Sequence, residues 1–223
     1  MTATQRTRLD RETRRAQLVA LGVEMLSTRP LDEVVVDDIA AAAGISRGLL
    51  FHYFPTKRDY LVAVVQAAAD ELVRVTELDP TLDLLDQLRS SLEAYVSYVE
   101  ANRLSFVALV RGAVGSDPQL LAVFEATRER IFVRVARAIG LPDDPPPVTR
   151  MVIRGWIAFI EELTVSWIDE APVGGRRPKG TLGRTEFVTL LEQSLIRLLQ
   201  LAIEPPITRT QTRTQTQTPR RSR

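Results

Sequence analysis

Between Val36 and Lys57 the chain reads VDDIAAAAGISRGLLFHYFPTK, and no other stretch restricts the possible folds so tightly. Val36, Ile39, Ala40 and Ala43 recur at intervals of three and four, which puts them on one face of a helix. Gly44 stops that helix, because a residue without a side chain enters the left-handed conformation of a helix terminus without a clash. Ile45 follows as an apolar plug. Ser46 suits the start of the next helix, since its hydroxyl accepts a bond from a free amide of the first turn. The second helix spans Arg47 to Phe54, and Pro55 ends it. Leu50 and Phe54, one turn apart, face inward with Ile45 and leave Arg47, Gly48, Leu49, His52 and Tyr53 pointing elsewhere.

A helix, a short turn containing glycine and a second helix with an open polar end is the helix-turn-helix arrangement, whose second helix enters the major groove of duplex DNA. A plain helical hairpin with a glycine terminus fits the spacing equally well. The residues themselves decide between the two. AAAGISRGLLFHYFPTKRDYL resembles the N-terminal DNA-binding domain of the tetracycline-repressor (TetR) family of bacterial transcription regulators. The match runs from about Arg14 to Leu61 and includes Ile39-Ala40, Ala43 to Ser46, Gly48, Leu50, Tyr53-Phe54, Lys57 and Leu61.

The resemblance implies a first helix, about Asp10 to Arg29, packed behind the motif, and a helix from Lys57 leading into a larger ligand-binding domain. It implies that Arg47 and Gly48 approach bases, that the positions of Phe51, His52 and Tyr53 touch the DNA backbone, and that Lys57 pairs with a phosphate. Arg14, Val36 and Leu49 complete the expected DNA-binding set. Three residues depart from the family pattern. Val35 replaces the usual Thr or Ser cap, Leu49 replaces a Thr and offers only apolar contact with a thymine methyl, and Phe51 replaces a Tyr and loses its hydroxyl. Asp37 and Asp38 favour the helix end through its dipole but do not attract DNA.

Composition narrows the remaining classes. The 223 residues are 45% apolar and 26% charged, the balance of an ordinary soluble chain. No run of about 18 apolar residues exists and the arginine-rich start lacks the core of a signal peptide, so a cytoplasmic protein without membrane contact is expected. Absence of cysteine excludes disulfides, thiolate zinc sites and cysteine nucleophiles. The single histidine, His52, lies on the second helix of the motif, which removes histidine triads, multi-histidine metal sites and a histidine base from the rest of the chain. Gly174 to Gly180, GGRRPKG, lacks the strand and the ending of a phosphate loop. No catalytic, metal or cofactor site is therefore expected. An excess of Lys and Arg in residues 1–58 and 205–223 flanks an acidic middle, and Arg6, Arg8, Arg11, Arg14 and Arg15 form a candidate arm for phosphates.

The rest of the chain reads as helices without any useful alternating pattern. They are expected at Lys57 to about Leu78, from Asp79-Pro80 to about Ala101, roughly Arg103 to Gly112, from Asp117-Pro118 to Gly140, Val148 to Glu170, and about Phe187 to Ala202. From Val148 to Glu170 one apolar row holds Val152, Trp156, Phe159, Leu163 and Trp167, and a neighbouring row holds Ile153, Ile157, Ile160 and Ile168. A helix so broadly apolar is covered on two sides, by its own domain and by a second subunit. With the Leu-rich final helix it forms a candidate four-helix contact across a two-fold axis, as dimers of the resembled family do.

The resemblance further implies a small-molecule effector, unidentified from sequence, enclosed by the middle and late helices. Tyr95, Tyr98, Phe106, Arg111, Trp156, Phe159 and Glu162 are its candidate contacts, aromatic with a few charges as such pockets tend to be. The expected architecture is all-α: residues 1–58 as arm and three-helix DNA-binding domain, 59–204 as helical ligand-binding and dimerisation domain, and 205–223 as a disordered basic tail. The expected function is a homodimeric, ligand-responsive regulator on an operator in double-stranded DNA, a repressor. A helical small-molecule enzyme and an architectural DNA-binding dimer without effector are the alternatives.

Overall fold

The computed structural model describes residues 10–29, 33–113, 117–170 and 180–203; the arm residues Arg6 and Arg8, the GGRRPKG segment up to residue 179 and the tail lie outside them. Among the described residues all regular elements are helical. They are α1 (Arg11–Thr28), α2 (Val36–Ala42), α3 (Arg47–Tyr53), α4 (Lys57–Val75), α5 (Leu84–Ala101), α6 (Arg103–Ala108), α7 (Pro118–Ala138), α8 (Pro147–Asp169) and α9 (Arg184–Ile203). A π-helical turn, Leu109–Ala113, continues α6. No described helix is long and apolar enough to cross a membrane.

Most of the starts are written in side chains. Asp10, Ser46, Asp83 and Asp117 each accept a bond from a backbone amide of the helix that follows. Thr56 and Asp59 cap α4 reciprocally, the hydroxyl accepting from the Asp59 amide and the carboxylate from the Thr56 amide. The segment between α4 and α5 differs from the expectation: Asp79 accepts from the amide and hydroxyl of Thr81, so Pro80 stays outside and α5 starts at Leu84 instead. Likewise α4 ends at Val75, where Arg134 of α7 donates to the carbonyls of Val73 and Thr76.

Two apolar cores organise the molecule. One lies among α5, α7, α8 and α9 around Val96, Val99, Ile153, Trp156, Ile157 and Leu191, with Trp167 stacked on Phe187 at 4.5 Å between centroids. The other holds the first three helices together around Leu18, Leu26, Ile39, Leu50 and Phe54. That second core does not end near residue 58. Tyr60, Val64 and Val65 of α4 belong to it, and so do Leu120 and Val123 from the start of α7. The helix that begins at Lys57 is thus shared by both halves.

The joint between α1 and α4 is close. Gly22 faces α4 where a Cβ would stand 2.4 Å from Tyr60 Oη and 2.5 Å from Val64 Cγ2. The buried Tyr60 hydroxyl donates to the Leu18 carbonyl at 2.8 Å, and burial pushes its pKa up. On the other side, Arg58 grips Asp117 with two bonds of 2.6 Å, tying the first turn of α4 to the cap of α7.

Candidate nucleic-acid interface and ligand cavity

The α2–α3 corner follows from its sequence. Gly44 has φ +63, the Ile45 amide donates to Ala40 and the Gly44 amide to Ala41, the paired bonds that close a helix on a left-handed glycine. Val36, Ile39, Leu50 and Phe54 are buried, so the corner is held from within. What remains outside is Arg47, Gly48, Leu49 and His52, with Leu49 41% exposed, while Phe51 and Tyr53 are half-buried. Tyr53 meets His52 edge to face at 5.7 Å.

The expected DNA set divides accordingly. Arg47, Gly48, Leu49, His52 and part of Tyr53 form one exposed surface, and Lys57 is exposed at the start of α4. Val36 stands apart from that surface. Its side chain is only 6% exposed because it packs in the corner's core, so the part left for a partner is the backbone start of α2, where Val35 supplies no capping bond. Phe51 carries the Arg47 guanidinium 5.5 Å from its ring centroid. Arg14 is half-buried and donates to Gln17 at 2.8 Å on its own helix. Gly48 meets nothing nearer than 3.9 Å where a Cβ would stand, so no contact inside the protein requires glycine there.

The sequence expectation did not single out Asp37 and Asp38 as partners of these cations. Asp37 Oδ2 stands 3.0 Å and Oδ1 3.3 Å from one terminal nitrogen of Arg47, and Asp38 pairs with Arg29 at 2.6 Å.

Beneath this head lies a cavity of about 210 Å³, walled mostly by apolar side chains. From α7 it takes Leu120, Val123, Phe124, Thr127, Arg128, Ile131, Arg134, Val135 and Ala138, one unbroken face of the helix. At a rise of about 1.5 Å per residue that face is about 27 Å long, so the cavity is elongated. Val23 and Leu26 of α1 contribute to its wall, and so do Leu84 and Leu85 of α5, which are exposed.

Tyr95, Tyr98, Phe106 and Trp156 line the cavity, as do groups the sequence reading passed over. The Tyr95 hydroxyl donates to Thr164 at 3.2 Å, and burial raises its pKa. The Tyr98 hydroxyl donates to the Ala68 carbonyl, and burial with the nearby Glu71 carboxylate pushes it up to about 12. Trp156 Nε1 donates to Ser194 at 2.9 Å. Arg128 binds Glu161 across the wall, with Nε 3.1 Å from Oε2. Glu161 is buried, and desolvation raises its pKa against the lowering effect of Arg128. The signal for Arg128 and Arg134 is visible in retrospect: both interrupt the apolar row Phe124, Ile131, Val135 at helical spacing.

Arg111, Phe159 and Glu162, also expected at the pocket, do not line this cavity. Phe159, 42% exposed, and Glu162 stand on the outer face of α8, because Trp156, Ile157, Ile160 and Glu161 occupy its inward arc. Arg111 sits on the π-helical turn and pairs with Asp169 at 2.6 Å, outside the cavity wall.

A helix-turn-helix head joined to a hollow helical body defines a class, the DNA-binding transcription regulators. Two family profiles match within the chain. Residues 18–64 match "Bacterial regulatory proteins, tetR family", and residues 84–197 match "Tetracyclin repressor-like, C-terminal domain". The chain belongs to the TetR family of transcription regulators. It is 27% identical over 168 residues to the transcriptional activator FasR of Mycolicibacterium smegmatis, a match covering 73% of this chain and 75% of FasR. It is 28% identical over 145 residues to the transcriptional repressor LfrR of the same organism, covering 64% and 74% of the two chains. Among solved structures, a TetR-family regulator from Streptomyces coelicolor superposes with a TM-score of 0.76 at 30% identity, covering 87% of this chain and 83% of that one. These relatives are regulators, not enzymes.

Proposed function

We propose that the chain is a homodimeric, effector-responsive regulator that grips paired half-sites of duplex DNA with α2 and α3, and whose grip is released when a small, largely apolar molecule fills the cavity. One observation carries the reading: part of the cavity wall is built from Leu26, Leu120 and Val123, which are also members of the head's core. An occupant that displaces them acts on the reading head through direct packing. LfrR has been solved in complex with proflavine, a small-molecule complex of a relative, which supports an effector of this general kind.

The second subunit is inferred from the outer face of α8 and α9. Met151, Phe159, Leu190 and Leu201 are exposed there, Leu201 to 68%, and α8 is buried on its opposite side. Two copies of this face would form a four-helix contact.

Gel retardation on the DNA upstream of the chain's own coding region tests the reading. Salt-sensitive retardation, lost on Arg47→Ala and Lys57→Ala and relieved by a compound that raises the melting temperature, is the expected result. Retardation that no stabilising compound changes refutes the effector, and sedimentation of the wild type as a monomer refutes the dimer. The direction of the transcriptional effect is read from reporter output with the chromosomal copy deleted, where repression predicts increased expression.

A further inference from the structure

We propose that Asp37 is a specificity-determining residue, which holds the Arg47 guanidinium in position for guanine and keeps it from the phosphates. Both Asp37 oxygens engage a single terminal nitrogen of Arg47, at 3.0 and 3.3 Å. The other terminal nitrogen and Nε remain outside that contact, and two such donors in a fixed fork are what guanine O6 and N7 accept in the major groove. The Phe51 ring, 5.5 Å from the guanidinium carbon, restrains the same group from the side of α3. Arg47 is thereby held between two helices although it is well exposed.

The adjacent acid does something else. Asp38 is paired with Arg29 at 2.6 Å, so the two acids at the start of α2 have separate partners, one at the end of α1 and one on α3. A carboxylate on the exposed reading surface also opposes phosphates, and it leaves a cost on every DNA contact that does not exploit the aligned fork. Asp37 is a positioning residue: it acts on base choice through Arg47 and need not touch DNA.

Asp37→Asn and Asp37→Ala test this, using duplexes selected by the full-length wild type from a random pool and an unselected random duplex as probes. Wild type is expected to select guanine at one position of each half-site, with Arg47→Lys losing it. Asp37→Asn is expected to bind the random duplex up to about fivefold tighter, with one additional unit in the salt slope, and to lose the guanine preference. Circular dichroism melting of each variant reports the fold separately. Unchanged base selection and salt slope in a folded Asp37→Asn protein overturn the proposal, since they leave Asp37 only as a dipole partner of α2. No salt-sensitive binding by the wild type overturns the reading head itself, a distinct result.

Discussion

Gly22→Ala is the sharpest probe of how the head is fixed to the body. Helix propensity alone favours alanine there by up to about 1 kcal/mol, because glycine is costly in a helix interior. The structure opposes that gain. The new Cβ would lie 2.4 Å from Tyr60 Oη and 2.5 Å from Val64 Cγ2, and neither neighbour is free to leave, both being fully buried. Overpacking of this kind costs about 1–3 kcal/mol, and displacing the Tyr60 hydroxyl from Leu18 forfeits about 1 kcal/mol more. The net expectation is a loss of about 2 kcal/mol, or about 4–8 °C in melting temperature for a chain of this size. Urea titration followed by circular dichroism measures it. Adding Tyr60→Phe removes the nearer clash and leaves Val64, so the double variant should recover part of the loss and the two changes should not add. A Gly22→Ala protein as stable as wild type, or more so, refutes the close approach of α1 and α4.

Gly48→Ala should behave in the opposite sense: it meets only Ser46 Oγ at 3.9 Å, so the fold is kept or stabilised by up to about 1 kcal/mol while DNA affinity falls, as comparison of melting and gel retardation will show. Asp117, held down to about 2 by Arg58 and by the amides of Gln119 and Leu120, contributes stability fully present above its unfolded value of 3.8 and lost as pH falls toward 2. Asp117→Asn should therefore be less stable than wild type at pH 6, with the gap closing in melts taken down to pH 2. Arg128→Met strands the buried Glu161 carboxylate and should cost about 3 kcal/mol in urea, whereas Arg128→Met with Glu161→Leu should restore most of it.

Sequence spacing was enough for the α2–α3 corner because each of its signals is local. Gly44 closes one helix, Ser46 opens the next, and Ile39, Leu50 and Phe54 fill the angle between them. Boundaries failed where another partner competes: Arg134 takes the last carbonyls of α4 from 58 and 61 residues away, and Asp79 serves Thr81 where a helix start was expected. The pocket was half legible for a related reason. Tyr95, Tyr98, Phe106 and Trp156 reach it, but a broadly apolar helix such as α8 does not announce which of two apolar arcs faces its own domain. Phe159 and Trp156 look alike in sequence, and only the packing of α7 and α9 separates them. Arg128 and Glu161 lie 33 residues apart, so neither suggests the other until the helices are assembled.

Coupling of the cavity to the head needs little energy. To move a two-state head from 1:99 to 99:1, an occupant must favour one state by about 5.5 kcal/mol. At about 25 cal/mol per Å² that is about 220 Å² more apolar surface covered in one state than in the other, within the reach of a single aromatic group. The wall can supply such a group itself. Ala69 of α4 lines the cavity and packs against the head core, so Ala69→Phe places a ring where an occupant would sit. If filling the cavity is what weakens the grip on DNA, this variant should bind the wild type's selected duplex more weakly with no effector added, and compounds that stabilise the wild type should no longer raise its melting temperature. Wild-type DNA affinity in a folded Ala69→Phe protein, with compound binding lost, would show that the cavity can be occupied without moving the head.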